Sequence, residues 1–197
     1  MRCAAASAAG RTPLSTASGC SPTAASPASP APATVAEVYR KLLVPTDFSP
    51  SSEAALTHAL RCREAGARTL VLLHVLDPRD VASLGLIGME AYEDSLWKEM
   101  HEEARRRLEA LAERCREMEV LVRLREGKPF AEIIRAALDE GVDAIVIGSH
   151  GESAAEEVLL GSTCEKVVRK APMTVMVVKP EAVRERLLRF WKALGGS

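Results

Sequence analysis

Residues Arg68–Leu76, RTLVLLHVL, decide how this chain folds. The stretch is β-compatible throughout, carries apolar side chains on both alternating faces, and closes at Asp77-Pro78. A strand that is apolar on both faces needs cover on both, which a parallel sheet between two helical layers provides. Lys41–Pro45 (KLLVP), Asp143–Gly148 (DAIVIG) and Thr174–Lys179 (TVMVVK) read as further strands. Glu119–Arg125 (EVLVRLR) alternates apolar and charged residues, the pattern of a strand close to a sheet edge.

Helical signals fill every interval. Ser49-Pro50 is an N-cap followed by proline at the first helical position, and Ala54, Ala55, Ala59, Leu60 and Cys62 repeat at helical spacing until Gly66. Val81–Met89, with Gly85 and Gly88, reads as a loop or broken helix. A long helix over Glu90–Met118 follows, with one apolar stripe of Leu96, Met100, Ala104, Leu108, Leu111, Cys115 and Met118. Gly127-Lys128-Pro129 opens another helix, with Phe130, Ile133, Ile134, Ala137 and Leu138 on its apolar side. Leu160–Lys170 is the last helix before the final strand. The alternation βαβαβαβαβ predicts an α/β fold with a mostly parallel sheet, right-handed crossovers and helices on both faces. In such sheets a ligand binds at the carboxyl ends of the strands, where the strand order reverses. That rule points to Pro45–Ser49, Val75–Pro78 and Gly148–Gly151.

Composition narrows the function. The chain has 197 residues, 47% apolar and 27% charged, with a net charge of -1, as in a soluble globular protein. No run approaches the ~20 apolar residues of a membrane span. Residues 1–34 hold 11 Ala, 6 Ser, 4 Thr and 5 Pro, too little apolar bulk to offset chain entropy, so segment 1–36 is expected to be a disordered tail. Arg2 and Arg11 are thin support for a transit peptide, and a misassigned start is the bland alternative. The tail and residues 181–197 each carry +2, so residues 35–180 carry -5 of the total -1. An acidic folded unit argues against nucleic acid and against electrostatic membrane binding. Five dispersed cysteines at 3, 20, 62, 115 and 164 point to free thiols in a reducing, cytoplasmic compartment, and no zinc-like spacing occurs.

One pattern carries chemistry. Gly148-Ser149-His150-Gly151 is followed, after nine residues, by Gly161-Ser162 at a helix start. Glycines let a backbone pass close to a ligand, and a helix start offers N–H groups to an anion. A P-loop and a GxGxxG fingerprint are both absent. A tight turn with a helix cap would leave the same trace.

Val44-Pro45-Thr46-Asp47-Phe48-Ser49, Leu72-Leu73-His74-Val75, the Gly148–Ser162 pattern, Ala171-Pro172 and Val175–Val178 together resemble the universal stress protein family, in its ATP-binding branch. The resemblance covers about residues 38–180, in a domain bounded as 37–180. It implies a Rossmann-like, adenine nucleotide alpha hydrolase-like five-stranded parallel sheet in order 3-2-1-4-5. It also implies a homodimer joined through the last strand, Met173–Lys179, and a bound ATP or related adenine nucleotide. Asp47 would then sit near adenine and ribose, in a loop shaped by Pro45 and Thr46. Val75 would touch the adenine through its backbone, with Ile147 and Gly148 beneath the ribose and base. His150 and Gly151 would approach the phosphates, and Gly161, Ser162 and Thr163 would bind them. Against the family pattern, Glu152 replaces a basic residue, Glu156 and Glu157 add carboxylates, and Cys164 stands where a hydroxyl is common. Carboxylates facing a triphosphate would require a divalent cation, Mg or Mn, between them.

Other residues have plainer readings. Asp47 could simply cap the first helix. His150 has no obvious partner in the sequence, and His74 reads as a hydrogen-bonded core or interface residue. Cys62 and Cys115 fall on apolar stripes. Cys164 lies near a helix start, where a thiol pKa can fall, which opens a redox reading. Glu181–Leu194 forms an amphipathic helix in segment 181–197, with Val183, Leu187, Leu188, Trp191 and Leu194 on one face. Packing on its own domain or across a dimer is expected, with a membrane surface as the alternative. The expected function is a cytoplasmic, ATP-binding regulatory homodimer in a stress response, without dedicated catalysis. A nucleotide-free dimer acting through protein interaction and a slow ATPase are the alternatives.

Overall fold

In the computed structural model, residues 39–80, 90–150 and 160–195 are described, 90–93 by backbone alone. The expected tail 1–36 and the Val81–Met89 segment lie outside the described residues, as do Gly151, Glu152, Glu156 and Glu157. The elements run β1 (Lys41–Pro45), α1 (Pro50–Arg61), β2 (Thr69–Leu76), α2 (Glu90–Arg114) and β3 (Glu119–Glu126). They continue with α3 (Pro129–Asp139), β4 (Ala144–Gly148), α4 (Ser162–Lys170), β5 (Thr174–Val178) and α5 (Glu181–Ala193). All four strand pairings are parallel, in the order β3-β2-β1-β4-β5 that the family resemblance implied.

The period of two along each strand splits the core into two layers. Leu42, Val44, Leu70, Leu72, Ala144 and Val146 face α1 and α2, joining Ala55, Leu56, Ala59, Leu108, Cys115 and Met118. Leu43, Val71, Leu73, Ile145 and Ile147 face α3 and α4, joining Ile133, Ala136, Ala137, Cys164 and Val167. Leu42, Leu43, Val44, Leu70, Leu72 and Ile145 have no exposed surface, so the central strands are covered on both sides. Edge strand β3 has no fully buried residue, in keeping with its charged alternation.

Several boundaries differ from the sequence reading. The long helix stops at Arg114, four residues before Met118, and Cys115 and Met118 reach the core from the turn that follows. The last helix of the domain starts at Ser162 rather than Leu160, with Gly161 as an extended N-cap. Strand β5 ends at Val178, not Lys179. Leu138 is 56% exposed and lies off the buried face of α3. Ser49 does cap α1: its Oγ accepts from Ser52 N at 3.2 Å, and Pro50 opens the helix.

Helix α1 meets the sheet closely at one glycine. A Cβ on Gly148 would lie 2.6 Å from the Ser51 carbonyl oxygen, which is closer than any carbon can settle. Because the obstacle is backbone, relief requires moving the start of α1. Gly148→Ala should therefore destabilise the fold by roughly 1–3 kcal/mol, the usual cost of overpacking. Urea unfolding checks this, and an unchanged midpoint with an unchanged slope would contradict it.

Candidate functional site

Strands β1 and β4 are neighbours at the centre of the sheet. The chain leaves β1 toward β2 and leaves β4 toward β5, so the two connections diverge and open a crevice. A cleft of about 1230 Å³ occupies that position. Pro45, Thr46, Asp47, Val75, Ile147, Gly148, His150, Gly161, Ser162 and Thr163 all line it. Of the expected site residues, Gly151 alone falls outside the described part.

The loop after β1 forms one wall. Thr46 N donates to Leu73 O at 2.8 Å, which ties the loop to β2. Phe48 N donates to Thr46 Oγ1 at 3.0 Å, and Ser49 N donates to Asp47 Oδ1 at 3.1 Å. Asp47 thus holds the loop at the start of α1 while lining the cleft. Phe48 has φ +64, a left-handed conformation that costs a bulky residue about 1–3 kcal/mol. Its ring is clamped to offset that cost. The His74 ring lies 4.7 Å from its centroid on one side, and the Arg107 guanidinium 3.9 Å from it.

His74 belongs to this wall rather than to the core proper. Its Nδ1–H donates to Thr46 O at 2.7 Å, which fixes the tautomer. Burial holds its pKa below the ordinary imidazole value, working against the Thr46 bond, which favours the charged form.

The opposite wall is made by β4 and α4. Ser149 is fully buried, and its Oγ lies 2.7 Å from His150 Nδ1. His150 N donates to Ser51 Oγ at 3.2 Å. The histidine therefore has a hydroxyl partner from its own neighbour, which the linear sequence gave no reason to expect. Gly161 N donates to Ser149 O at 2.7 Å and brings the start of α4 beside the end of β4. A helix start leaves its first N–H groups without intrahelical partners, and the N-cap here, Gly161, has no side chain to offer them. With the helix dipole, that end of the cleft attracts negative charge.

Two contributions escaped the sequence reading. The first half of the α2 stripe, Leu96, Met100 and Ala104, lines the cleft, as do Glu99, Glu103 and Arg107 of the same helix. Ala104 is itself buried, and farther along Leu108 and Leu111 join the first core layer. A single apolar stripe carries no mark of where a core ends and a cleft begins. Asp77 and Arg79, just after β2, form a close ion pair at the cleft edge. The Arg79 side-chain bond holds the Asp77 carboxyl below its ordinary pKa, against its burial.

Comparison with known proteins matches residues 38–179 to the universal stress protein family. The chain belongs to that family. It is 37% identical over 155 residues to universal stress protein MJ0577 of Methanocaldococcus jannaschii, covering 72% of this chain and 96% of the relative. It is 31% identical over 148 residues to universal stress protein YxiE of Bacillus subtilis, covering 72% of this chain and 100% of the relative. The solved structure of MJ0577 superposes with a TM-score of 0.65 at 38% identity, over 72% of this chain and 96% of that one. A universal stress protein family structure from Burkholderia pseudomallei gives a TM-score of 0.56 at 28% identity, over 73% and 97%. The family match ends at Lys179, and helix α5 lies outside the matched residues.

The thiol beside this cleft differs from the sequence expectation. Cys164 is 3% exposed and packed into the second core layer, and burial pushes its thiol up to about 11. The helix start does not lower it, because desolvation of a thiolate there outweighs the dipole. Alkylation of Cys164 in the folded universal stress protein at pH 8 should be about a hundredfold slower than in urea-unfolded chain, the ratio of thiolate that two pKa units give. Equal rates by peptide mass mapping would contradict the buried placement. His74 supplies a second expectation. Its folded pKa is depressed, so its contribution to stability is whole above about pH 6.5 and is lost as pH falls further. Between pH 7 and 5 the native protein should lose more stability than His74→Asn, which keeps an amide donor near the Nδ1 position. Parallel pH curves for the two in urea unfolding would rule this out.

Proposed function

We propose that the cleft binds an adenine nucleotide, ATP foremost, and that this universal stress protein acts as a cytoplasmic regulatory homodimer in a stress response. The observation that carries the reading is the junction of β4 and α4. There the Gly148–Ser149–His150 turn and the start of α4 converge on one end of the crevice. That end suits a phosphate chain, held by backbone N–H groups of α4 and by the hydroxyls of Ser162 and Thr163. The other end suits a base and ribose, between Val75 and Ile147, with Asp47 as hydrogen-bond acceptor. The cleft volume exceeds the usual lower range for a small-molecule site, leaving room for a nucleotide.

The charge around the cleft is mixed, with Asp47, Asp77, Asp80, Glu99 and Glu103 beside Arg79 and Arg107. A polyphosphate here relies on N–H donors and on a Mg or Mn ion more than on lysine or arginine. Among the described residues no three His, Cys, Asp or Glu side chains gather to hold a metal, so the phosphates would be its principal ligands. The described cysteines, Cys62, Cys115 and Cys164, are free thiols, which supports a reducing compartment. The homodimer reading is supported by β5, which among the described residues pairs with β4 alone and leaves its other side as a sheet edge.

Mass spectrometry of small molecules released on denaturing the purified protein should find an adenine nucleotide. Calorimetry should show ATP binding, weakened at least about tenfold, or 1.4 kcal/mol, by Gly161→Val. Absence of released nucleotide together with no ATP heat at millimolar concentration would overturn the reading.

A further inference from the structure

Helix α5 begins two residues after the family match ends, and it leaves a large apolar surface uncovered. None of its residues is buried. Phe190 is 57% exposed, Trp191 61%, Leu194 64% and Leu188 50%. At 100° per residue, Val183, Leu187, Phe190, Trp191 and Leu194 fall on one side of the helix. Val183 and Leu187, the members nearest the domain, are half-buried, and the face becomes more exposed toward the helix end. The sequence reading left packing on its own domain open, and the structure shows that this domain does not bury the face.

We propose that this face seats on a second copy of the same chain, so that α5 acts as a clasp beside the β5 edge of the homodimer. The inference rests on the dimer reading above and adds an element outside the family match. Three observations select a second copy as the occupant. The first is continuity. Only Lys179 and Pro180 separate β5 from α5, and Val175, Met176, Val177 and Val178 are themselves half-buried along a sheet edge that has no partner strand among the described residues. A strand edge and an adjoining apolar helix are therefore left open on consecutive elements.

The second observation is area. Covering Phe190, Trp191 and Leu194 would bury about 350 Å² per protomer, given that an aromatic side chain buries roughly 150–250 Å². That is a little under half of the ~800 Å² per partner of a stable interface, and β5 is placed to supply the remainder. The third is charge. Segment 181–197 carries Arg184, Arg186, Arg189 and Lys192 against Glu181 and Glu185, for +2, while residues 35–180 carry -5. A basic helix of one protomer meeting the acidic body of another is complementary. The same acidic body disfavours approach to an anionic membrane.

The test uses the full chain carrying Trp97→Phe, so that Trp191 is the sole indole. Analytical ultracentrifugation should show a dimer, and Trp191 emission should shift to the red as dilution dissociates it. Phe190→Glu with Leu194→Glu should raise the dimer dissociation constant at least about a hundredfold while ATP affinity stays unchanged. Removal of 181–197 should do the same, which guards against an effect peculiar to the glutamates. A dimer of unchanged affinity in both variants, with Trp191 exposed to water, would overturn the clasp and leave the dimer reading standing. A native chain that stays monomeric at all concentrations would overturn both. A shielded Trp191 in a monomer would place α5 on its own domain. A blue shift seen only with phosphatidylglycerol vesicles would place it on a membrane surface, and each of these two results also overturns the clasp.

Discussion

Everything in this fold follows from the double-sided burial of its central strands. Leu42, Leu43 and Val44 of β1, Leu70 to Leu73 of β2, and Ala144 to Val146 of β4 have no exposed surface. Strands of this kind are stable only between two apolar layers. The chain satisfies the demand by inserting a helix after each strand, with α1 and α2 on one face and α3 and α4 on the other. Since every crossover has the same hand, the sheet can grow on both sides of β1 only if the direction of winding reverses there. The crevice between β1 and β4 is the geometric residue of that reversal. The site is thus not an addition to the fold but a place the packing cannot fill.

Within the crevice, two kinds of precision meet. On one wall the backbone of Phe48 is held in an unfavourable conformation by ring stacking with His74 and Arg107 and by the Thr46 hydroxyl. Such strain persists only where the surroundings over-determine it, and here they come from β2, α2 and the loop itself. On the other wall, Gly148 lets the start of α1 press against β4, where His150 N donates to Ser51 Oγ and the His150 ring meets the Ser149 hydroxyl. The first wall is shaped by large side chains, and the second by their absence.

The edges of the sheet are treated differently from each other. Edge strand β3 carries Arg123 and Arg125, which pair with Glu140 and Asp139 and discourage a further strand. The other edge, β5, bears no charge within Thr174–Val178 and leads at once into an exposed amphipathic helix. The two edges thus differ in charge, and the side chains of β5 are half-buried.

The sequence by itself determined the element order, the parallel sheet, the Ser49 cap and the loops that form the cleft. Each of these is written locally, in the period of an apolar pattern, a proline after a serine, or a pair of glycines at a helix start. The described members of the expected site line the crevice; the topological rule located the loops after β1, β2 and β4, and the family resemblance supplied the individual residues. Tertiary structure alone decided the rest. The stripe on α2 is continuous in sequence, yet Leu96 and Met100 line the cleft and Leu108 joins the core. Cys164 sits at a helix start that favours a thiolate, yet the surrounding layer of apolar side chains raises its pKa, because desolvation depends on neighbours distant in the chain. His150 gained its hydroxyl partner, and Phe48 its clamp, from contacts that no spacing encodes. Local pattern fixes which elements form and where they lie, whereas charge states and strain are set by what packs around them.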